Sequence, residues 1–260
     1  MSLEPDNFIS TLSYSLKKNN ELERVINRFI DDYGMVPCIG VEIEFYLTLD
    51  INISDLESIV AMPIKQEKGR NQFEVDLPPS IDLVNYAKEI SELKYNIAKA
   101  AEKLGGKANF HPKPFLNDYG NSIHFHISFN KPVDLIHQAQ SLCHYMLDSF
   151  LIFMPSEEDY LRIDKNFMTP THVSFGGNNR TVAIRIPDAL PKRLEHRLSS
   201  SSVEPYIAIY AILKSILMGL DNPDIINKIP KIFGNAFDEQ YKLVALPTSR
   251  QEALALFKLI

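Results

Sequence analysis

Cysteine is nearly absent from this 260-residue chain. Cys38 and Cys143 are the only two, far apart and not spaced like metal ligands. That usage points to a reducing compartment rather than a disulfide-stapled domain. No apolar run is long enough to span a bilayer, because the most apolar stretch, 206–220, is interrupted by Lys214 and Ser215. Residues 1–19 are polar and contain no apolar core of signal-peptide type. Positive charge is not in excess either: 27 Lys and Arg against 33 Asp and Glu give a net charge of −6. This argues against a nucleic-acid backbone as the main partner and leaves room for a local basic pocket. No repeat, low-complexity tract or Pro/Gly/Ser-rich linker divides the chain. A hydrophobic fraction of 45% with 23% charged residues is that of an ordinary globular protein. The expectation is a cytoplasmic protein with neither membrane nor nucleic acid as partner.

Periodicity supplies the elements. Leu22, Val25, Ile26, Phe29 and Ile30 predict an amphipathic helix over 20–33, closed by Gly34 and Pro37. Residues 38–49 read as a strand. The clearest helix is 80–104, striped by Leu83, Val84, Ala87, Ile90, Leu93, Ile97, Ala101 and Leu104 and ended by Gly105-Gly106. A strand over 123–129 precedes a helix over 135–153, stopped by Pro155. Further strands are expected at 171–175, 181–186 and 193–198. Ser199 to Ser202 offer an N-cap, and Pro205 a first turn, for a final buried helix. Strands interleaved with long helices predict an α+β domain with a mainly antiparallel sheet.

Three strand-like runs place polar side chains two residues apart: Glu42-Ile43-Glu44, His124-Phe125-His126 and Glu195-His196-Arg197. On a strand that spacing puts both side chains on one face. Side by side, the three would pave a sheet with carboxylates, imidazoles and guanidinium, a surface for divalent metal and phosphate. Each run has a plainer reading by itself. The glutamates also fit a half-exposed strand, and the histidines a satisfied structural pair. Arg180, Arg185, Arg193 and Arg197 crowd into eighteen residues among apolar neighbours. Such density is costly to bury without anions, although acidic partners in the fold could supply part of the pairing.

Residues 40–47, 109–128, 178–187 and the run Arg193-Leu194-Glu195-His196-Arg197 resemble, in order, the motifs of the glutamine synthetase catalytic domain. Val203-Glu204-Pro205-Tyr206 is similar to that family's Ala-Asn-Pro-Tyr helix start, and 246–254 to its Leu-Pro-x-Ser-x-x-Glu-Ala-Leu segment. The resemblance covers nearly the whole chain. It implies an α+β fold whose curved, mainly antiparallel sheet carries the active site between flanking helices. It further implies two divalent ions, Mg²⁺ or Mn²⁺, one held by Glu44, Glu67 and Glu74 and the other by Glu42, His124 and Glu195. By the same resemblance His126 and Ser128 face the nucleotide. Arg180, Arg185 and Arg193 grip the ATP phosphates and the transferring phosphoryl group, and Arg162, Gly120 and Arg197 engage the substrate, with Arg180 and Arg197 in catalytic roles. The implied reaction joins glutamate, or a similar small amino-acid-like carboxylate, to an amine through an acyl phosphate made from ATP.

The departures bear on the acceptor. Met168 stands where the family has a flap glutamate that helps deprotonate ammonium, and a thioether can do neither that nor bind a cation. Lys165, Asn166 and Phe167 replace the family's Pro-Gly-Tyr, and Tyr119 replaces an asparagine before Gly120. Glu67 and Glu74 lie one residue closer together than the usual pair. Residues 1–260 read as a single catalytic domain without the family's N-terminal β-grasp domain. A homo-oligomer is open to such a chain, but the family's usual ring is not expected. Two readings follow: an ATP-dependent carboxylate–amine ligase whose amine is not ammonium, or a catalytically degenerate nucleotide- and metal-binding paralogue with a regulatory or partner-binding role.

Overall fold

The computed structural model describes residues 8–48, 51–226 and 228–260. Residues 1–7 of the polar N-terminal stretch, and Leu49, the expected end of the first strand, lie outside that description. Among the described residues, eight strands form one sheet: β1 (Pro37–Leu47), β2 (Lys65–Gln66), β3 (Gln72–Ser80), β4 (Ala108–Asn109), β5 (Ile123–Phe129), β6 (Phe175–Gly176), β7 (Ile184–Arg185) and β8 (Leu194–His196). Their order is β2-β3-β1-β5-β8-β7-β6, with β4 paired to the end of β1, and β6–β7 is the one parallel pairing among them. The fold is therefore α+β with a mainly antiparallel sheet.

Strand β1 is the longest and an interior member, paired with β3 on one side and β5 on the other. Its alternation sorts two faces. Ile39, Val41, Ile43, Phe45 and Leu47 are buried against the helices, and Gly40, Glu42 and Glu44 point the other way. Register then aligns the polar face across strands: Glu42 lies opposite His124 on β5 and Asp76 on β3, and Glu44 opposite Glu74. A one-residue slip would send these carboxylates into the apolar core, so burial of the opposite face fixes the register.

The helices are α1 (Phe8–Lys18), α2 (Glu21–Tyr33), α3 (Ile53–Val60), α4 (Leu83–Lys103), α5 (Leu135–His144), α6 (Met146–Phe153), α7 (Pro205–Asp221) and α8 (Arg250–Leu256). α4 buries Leu83, Ala87, Ile90, Leu93 and Ile97 at helical spacing, and its cap is Asp82, because Ser80 is taken by β3 opposite Ile39. α7 is apolar on all sides and is buried among α2, α4, α5 and α6. Its N-cap is Glu204, whose carboxylate accepts from Ile207 N–H at 3.1 Å. The serines expected to cap it are employed elsewhere, since Ser200 and Ser202 donate their hydroxyls to Asp159. The expected helix 135–153 is two, divided at Tyr145, where the backbone leaves helical geometry (φ −93°, ψ 5°). The three late strands shrink to two or three residues, because Gly176-Gly177, Pro187 and Pro191 interrupt the ladders. Among the described residues no helix is long and apolar enough to cross a membrane.

The α5–α7 contact has no slack. A Cβ on Gly219 would fall 1.9 Å from Ser141 Oγ and 2.5 Å from Ser141 Cβ. Gly219→Ala is therefore expected to overpack the pair and lower stability by about 1–2 kcal/mol, net of its helix-propensity gain. Pairing it with Ser141→Gly relieves the clash. Urea midpoints of the single and double variants check this, and an unchanged midpoint for Gly219→Ala contradicts it.

Candidate functional site

The polar face of β1, β3, β5 and β8 opens into a pocket that collects Glu42, Glu44, Glu67, Glu74 and Glu195 together with Arg162, Arg180, Arg185, Arg197 and His124. Each strand delivers its residues by the period-two rule. Glu195 pairs by register with Arg185 on β7 and His126 on β5. His196, one residue on, points into the core against the Phe153 ring at 4.3 Å, where burial pushes its imidazole down to about 3.

The acidic groups fall into two neighbourhoods. Glu195 Oε2 accepts from Arg185 at 2.8 Å, and its Oε1 lies 3.1 Å from Arg197 Nε. Burial acts to raise Glu195, but His124, Arg197 and Arg185 outweigh it and hold the carboxyl below its usual range. Glu42 likewise lies 3.2 Å from His124 and 2.8 Å from His126. Burial again opposes ionisation, and the two imidazoles override it, keeping Glu42 charged. Glu74 has less help: Lys65 Nζ lies 3.9 Å from its Oε1, but that ammonium is exposed and is shared with Asp76. Burial and then the charges of Glu42, Glu44, Glu67 and Asp76 push its carboxyl far above the ordinary value. Glu67 is raised for the same reasons, burial first and Glu44 second. This half of the pocket holds more negative charge than its surroundings neutralise.

Glu42, Glu74 and His124 each bring a ligand atom within 4.8 Å of the others. This grouping draws one member from the Glu44–Glu67–Glu74 set and two from the Glu42–His124–Glu195 set. Glu44 is held instead by Ser122, whose backbone N–H and hydroxyl both donate to Oε2, at 2.7 and 2.6 Å. Ser122 Oγ is also 3.0 Å from His124 Nε2, so it couples the two. Sequence reasoning passed over Ser122, although it stands two residues before His124 on the same face. Gln72 was missed as well: its amide donates to Gly120 O at 3.1 Å and ties β3 to the pocket rim.

The basic residues divide too. Arg162 and Arg197 are buried, and burial lowers both guanidinium groups from their ordinary value. Arg162 donates to Leu198 O at 3.2 Å, while its Nε has no hydrogen-bond partner. Arg197 donates to the backbone oxygens of Arg180 and Val182. Gly120 meets Arg162 at the rim: a Cβ there would come within 2.7 Å of Pro112 O and 2.8 Å of Arg162 Cγ, so only glycine fits. Arg193 is not beside Arg180 and Arg185. Its Nε donates to His126 Nδ1 at 3.1 Å, and it lines an adjoining groove with Gly40, His126, Ser128 and Pro191. Tyr119, Phe167, Met168 and Pro170 also line the pocket and form its apolar rim. Oxygen-rich carboxylates suit a hard divalent cation, and the guanidinium groups suit phosphoryl oxygens or carboxylates.

Comparison with known proteins adds three findings. The family model described as glutamine synthetase, catalytic domain, matches residues 54–259. Gamma-glutamylputrescine synthetase PuuA of Escherichia coli (strain K12) is 29% identical over 221 residues, covering 79% of this chain and 46% of that protein. Glutamine synthetase of Pyrococcus woesei is 25% identical over 220 residues, covering 79% and 44%. The chain thus spans about half the length of the curated relatives it matches. Among solved structures, a GmaS/ADP complex superposes with a TM-score of 0.76 at 22% identity, over 91% of this chain and 66% of that one, a likeness of fold.

The crowding at Glu74 has a measurable consequence. With its carboxyl held above the ordinary 4.5, the folded state binds that proton more tightly than the unfolded chain. Stability from this source is full in acid and is lost as pH rises above the ordinary value. In metal-free protein at pH 8, Glu74→Gln is expected to raise stability by about 1–2 kcal/mol, several degrees in melting temperature. Mg²⁺ is expected to raise the melting temperature of the native protein more than that of the variant. Thermal unfolding at pH 5 and 8, with and without Mg²⁺, reads both effects; a variant less stable than the native protein at pH 8 refutes them.

Proposed function

Because the chain belongs to the glutamine synthetase family through its catalytic domain, we propose that it carries the machinery of an ATP-dependent carboxylate–amine ligase. One observation supports this above the rest: five carboxylates and four arginines line a single pocket. The donor set of Glu42, Glu44, Glu67, Glu74, Glu195 and His124 is almost wholly oxygen, and the uncompensated charge around Glu74 fits Mg²⁺ or Mn²⁺. These six residues would hold the ions in two sites, with the membership of each set by which partner Glu74 and Glu42 share. Bound there, divalent ions neutralise phosphoryl charge and orient the nucleotide.

The rest of the chemistry falls to binding and orientation. His126, Ser128 and Arg193 line the groove beside the pocket and would take the nucleotide. Arg180 and Arg185 would hold the transferring phosphoryl oxygens, with Arg185 already fixed by Glu195 and Asn178. Arg162, Arg197 and the close-packed Gly120 would seat the acid. Arg162 Nε, buried and unpaired, is suited to a carboxylate oxygen. The γ-carboxylate of glutamate, or of a similar acid, attacks the γ-phosphorus of ATP and releases ADP. The uncharged amine then attacks the acyl carbon, the carbon–oxygen bond to phosphate breaks, and the proton lost from nitrogen passes to the departing phosphate or to solvent. Little covalent work is required of the protein, so positioning and charge account for the catalysis.

The acceptor side differs from an ammonium site. Met168, Phe167 and Tyr119 offer apolar and aromatic surface rather than an anion, which gives a hydrocarbon chain something to pack against and ammonium nothing, so the amine would be one that carries carbon. Its setting would be the cytoplasm, with both cysteines free.

With glutamate, Mg²⁺ and ATP, a primary alkylamine is expected to drive ADP release, and ammonium far less. Met168→Glu should shift the preference toward ammonium by roughly tenfold to a hundredfold. Steady-state ADP release across an amine panel measures both. Binding of Mg²⁺–ATP without turnover for any amine or acid would favour the regulatory, nucleotide-binding reading.

A further inference from the structure

Lys113 is a buried cation to which the proposed reaction gives no part. It is 4% exposed, and its ammonium donates to Asp118 O at 2.6 Å. The same ammonium lies 3.7 Å from the centroid of the Phe167 ring, well inside the range of cation–π attraction. Phe167 in turn meets Tyr119 edge to face, with centroids 5.5 Å apart and an interplanar angle of 76°. Both rings line the pocket, next to Met168.

We propose that Lys113 is a positioning residue for the acceptor: by holding the Phe167 ring it fixes Phe167, Tyr119 and Met168 as an apolar wall that selects primary amines bearing a hydrocarbon chain. The inference rests on the ligase reading and names the acceptor class within it.

Local geometry supports a fixed wall. Phe167 ends a 3-10 turn, Lys165–Phe167, whose cap Asp164 accepts from Asn166 N–H at 2.8 Å. Met168 follows in the left-handed region at φ 60°. A non-glycine residue there costs about 1–2 kcal/mol and persists only when its surroundings hold it. On the facing loop, Tyr46 donates its hydroxyl to Tyr119 O at 2.9 Å, which ties the rim to the sheet. Lys113 joins the two segments, its backbone and Asp118 contact on one and the Phe167 ring on the other.

The surroundings also argue against a second positive charge on the acceptor. Arg162 and Lys68 line the same pocket, and Lys113 stands against the wall. The carboxylates lining the pocket would be taken up by the divalent ions and the arginines, and the acids beside the wall are engaged: Asp118 accepts from the N–H groups of Arg70 and Tyr119, and Asp164 from that of Asn166. A hydrocarbon chain gains from this wall and a distal ammonium does not.

The test follows ADP release by the full chain with glutamate, Mg²⁺ and ATP, using methylamine, ethylamine, n-propylamine, n-butylamine and 1,4-diaminobutane. The KM for amine is expected to fall roughly fourfold per methylene and to be higher for 1,4-diaminobutane than for n-butylamine. Lys113→Met should raise the KM for n-butylamine about fivefold with the KM for ATP unchanged. Lys113→Arg should restore it, because a guanidinium also stacks on a ring. Phe167→Leu, which leaves the buried lysine in place, should flatten the chain-length dependence on its own. Turnover with a KM indifferent to chain length, or an effect of Lys113→Met on ATP and amine alike, overturns the wall and leaves the ligase standing. Absence of turnover with every amine overturns both.

Discussion

Mutual repulsion among carboxylates on one face of a sheet is the constraint around which this molecule is arranged. Glu42, Glu44 and Glu74 are brought together by the register of β1 and β3, and Glu195 joins from β8. Like charges at such separations disfavour each other's ionisation, and burial makes this worse by removing water. The fold offsets the repulsion unevenly. Glu195 and Glu42 receive arginines and imidazoles, Glu44 receives the two donors of Ser122, and Glu74 is left with the surplus. A protein that needed the face only for structure would gain by replacing Glu74 with an amide. Keeping a carboxylate there makes sense if a cation shares the site.

The same constraint explains why the reverse side of the sheet is so thoroughly apolar. Ile39, Ile43, Phe45, Ile123, Phe125 and Ile127 are all fully buried beneath the helices. Each would be exposed, and each carboxylate buried, by a one-residue slip. The register is thereby fixed by hydrophobic burial on one face, and the electrostatic strain on the other is tolerated because it cannot be relieved by sliding. The polar pocket depends on an apolar layer to which it contributes nothing.

This also explains which parts were legible in the sequence. The paired residues of β1 and β5 could be read because a period of two survives in a strand of seven to eleven residues. The stripe of α4 was legible for the corresponding reason. β6, β7 and β8 are only two or three residues long, too short for any period, and were overextended at the sequence level. α1, α3 and β3 were not read at all; β3 carries Pro78 and Pro79, which mask a strand. Site membership was easier to see than site grouping. That Glu42, Glu74 and His124 converge depends on register between strands distant in sequence, which no local pattern encodes. Ser122 and Lys113 escaped notice because a serine or a lysine acquires its role only from what the fold places against it.

The two halves of the pocket stand on different kinds of support, and this decides how each can vary. The charged half is built on paired strands, where each residue's direction is locked to its neighbours by the ladder and by the buried face behind it. Exchanging one member there disturbs several others, as the contacts of Glu42 with both His124 and His126 illustrate. The rim is built from a loop around 111–120 and a 3-10 turn at 165–167, held by the capping Asp164, the ring contacts of Tyr119 with Phe167 and of Phe115 with Tyr46, the Tyr46 hydroxyl on Tyr119 O, and Lys113. Loops of this kind accept substitution with little effect on the core. The i, i+2 pairs on the sheet can therefore stay fixed while residues of the rim, such as Phe167 and Met168, are exchanged. On the ligase reading proposed above, specificity for the nucleophile would be separable from activation of the acid, because the first would rest on side-chain packing between two loops and the second on the register of a sheet.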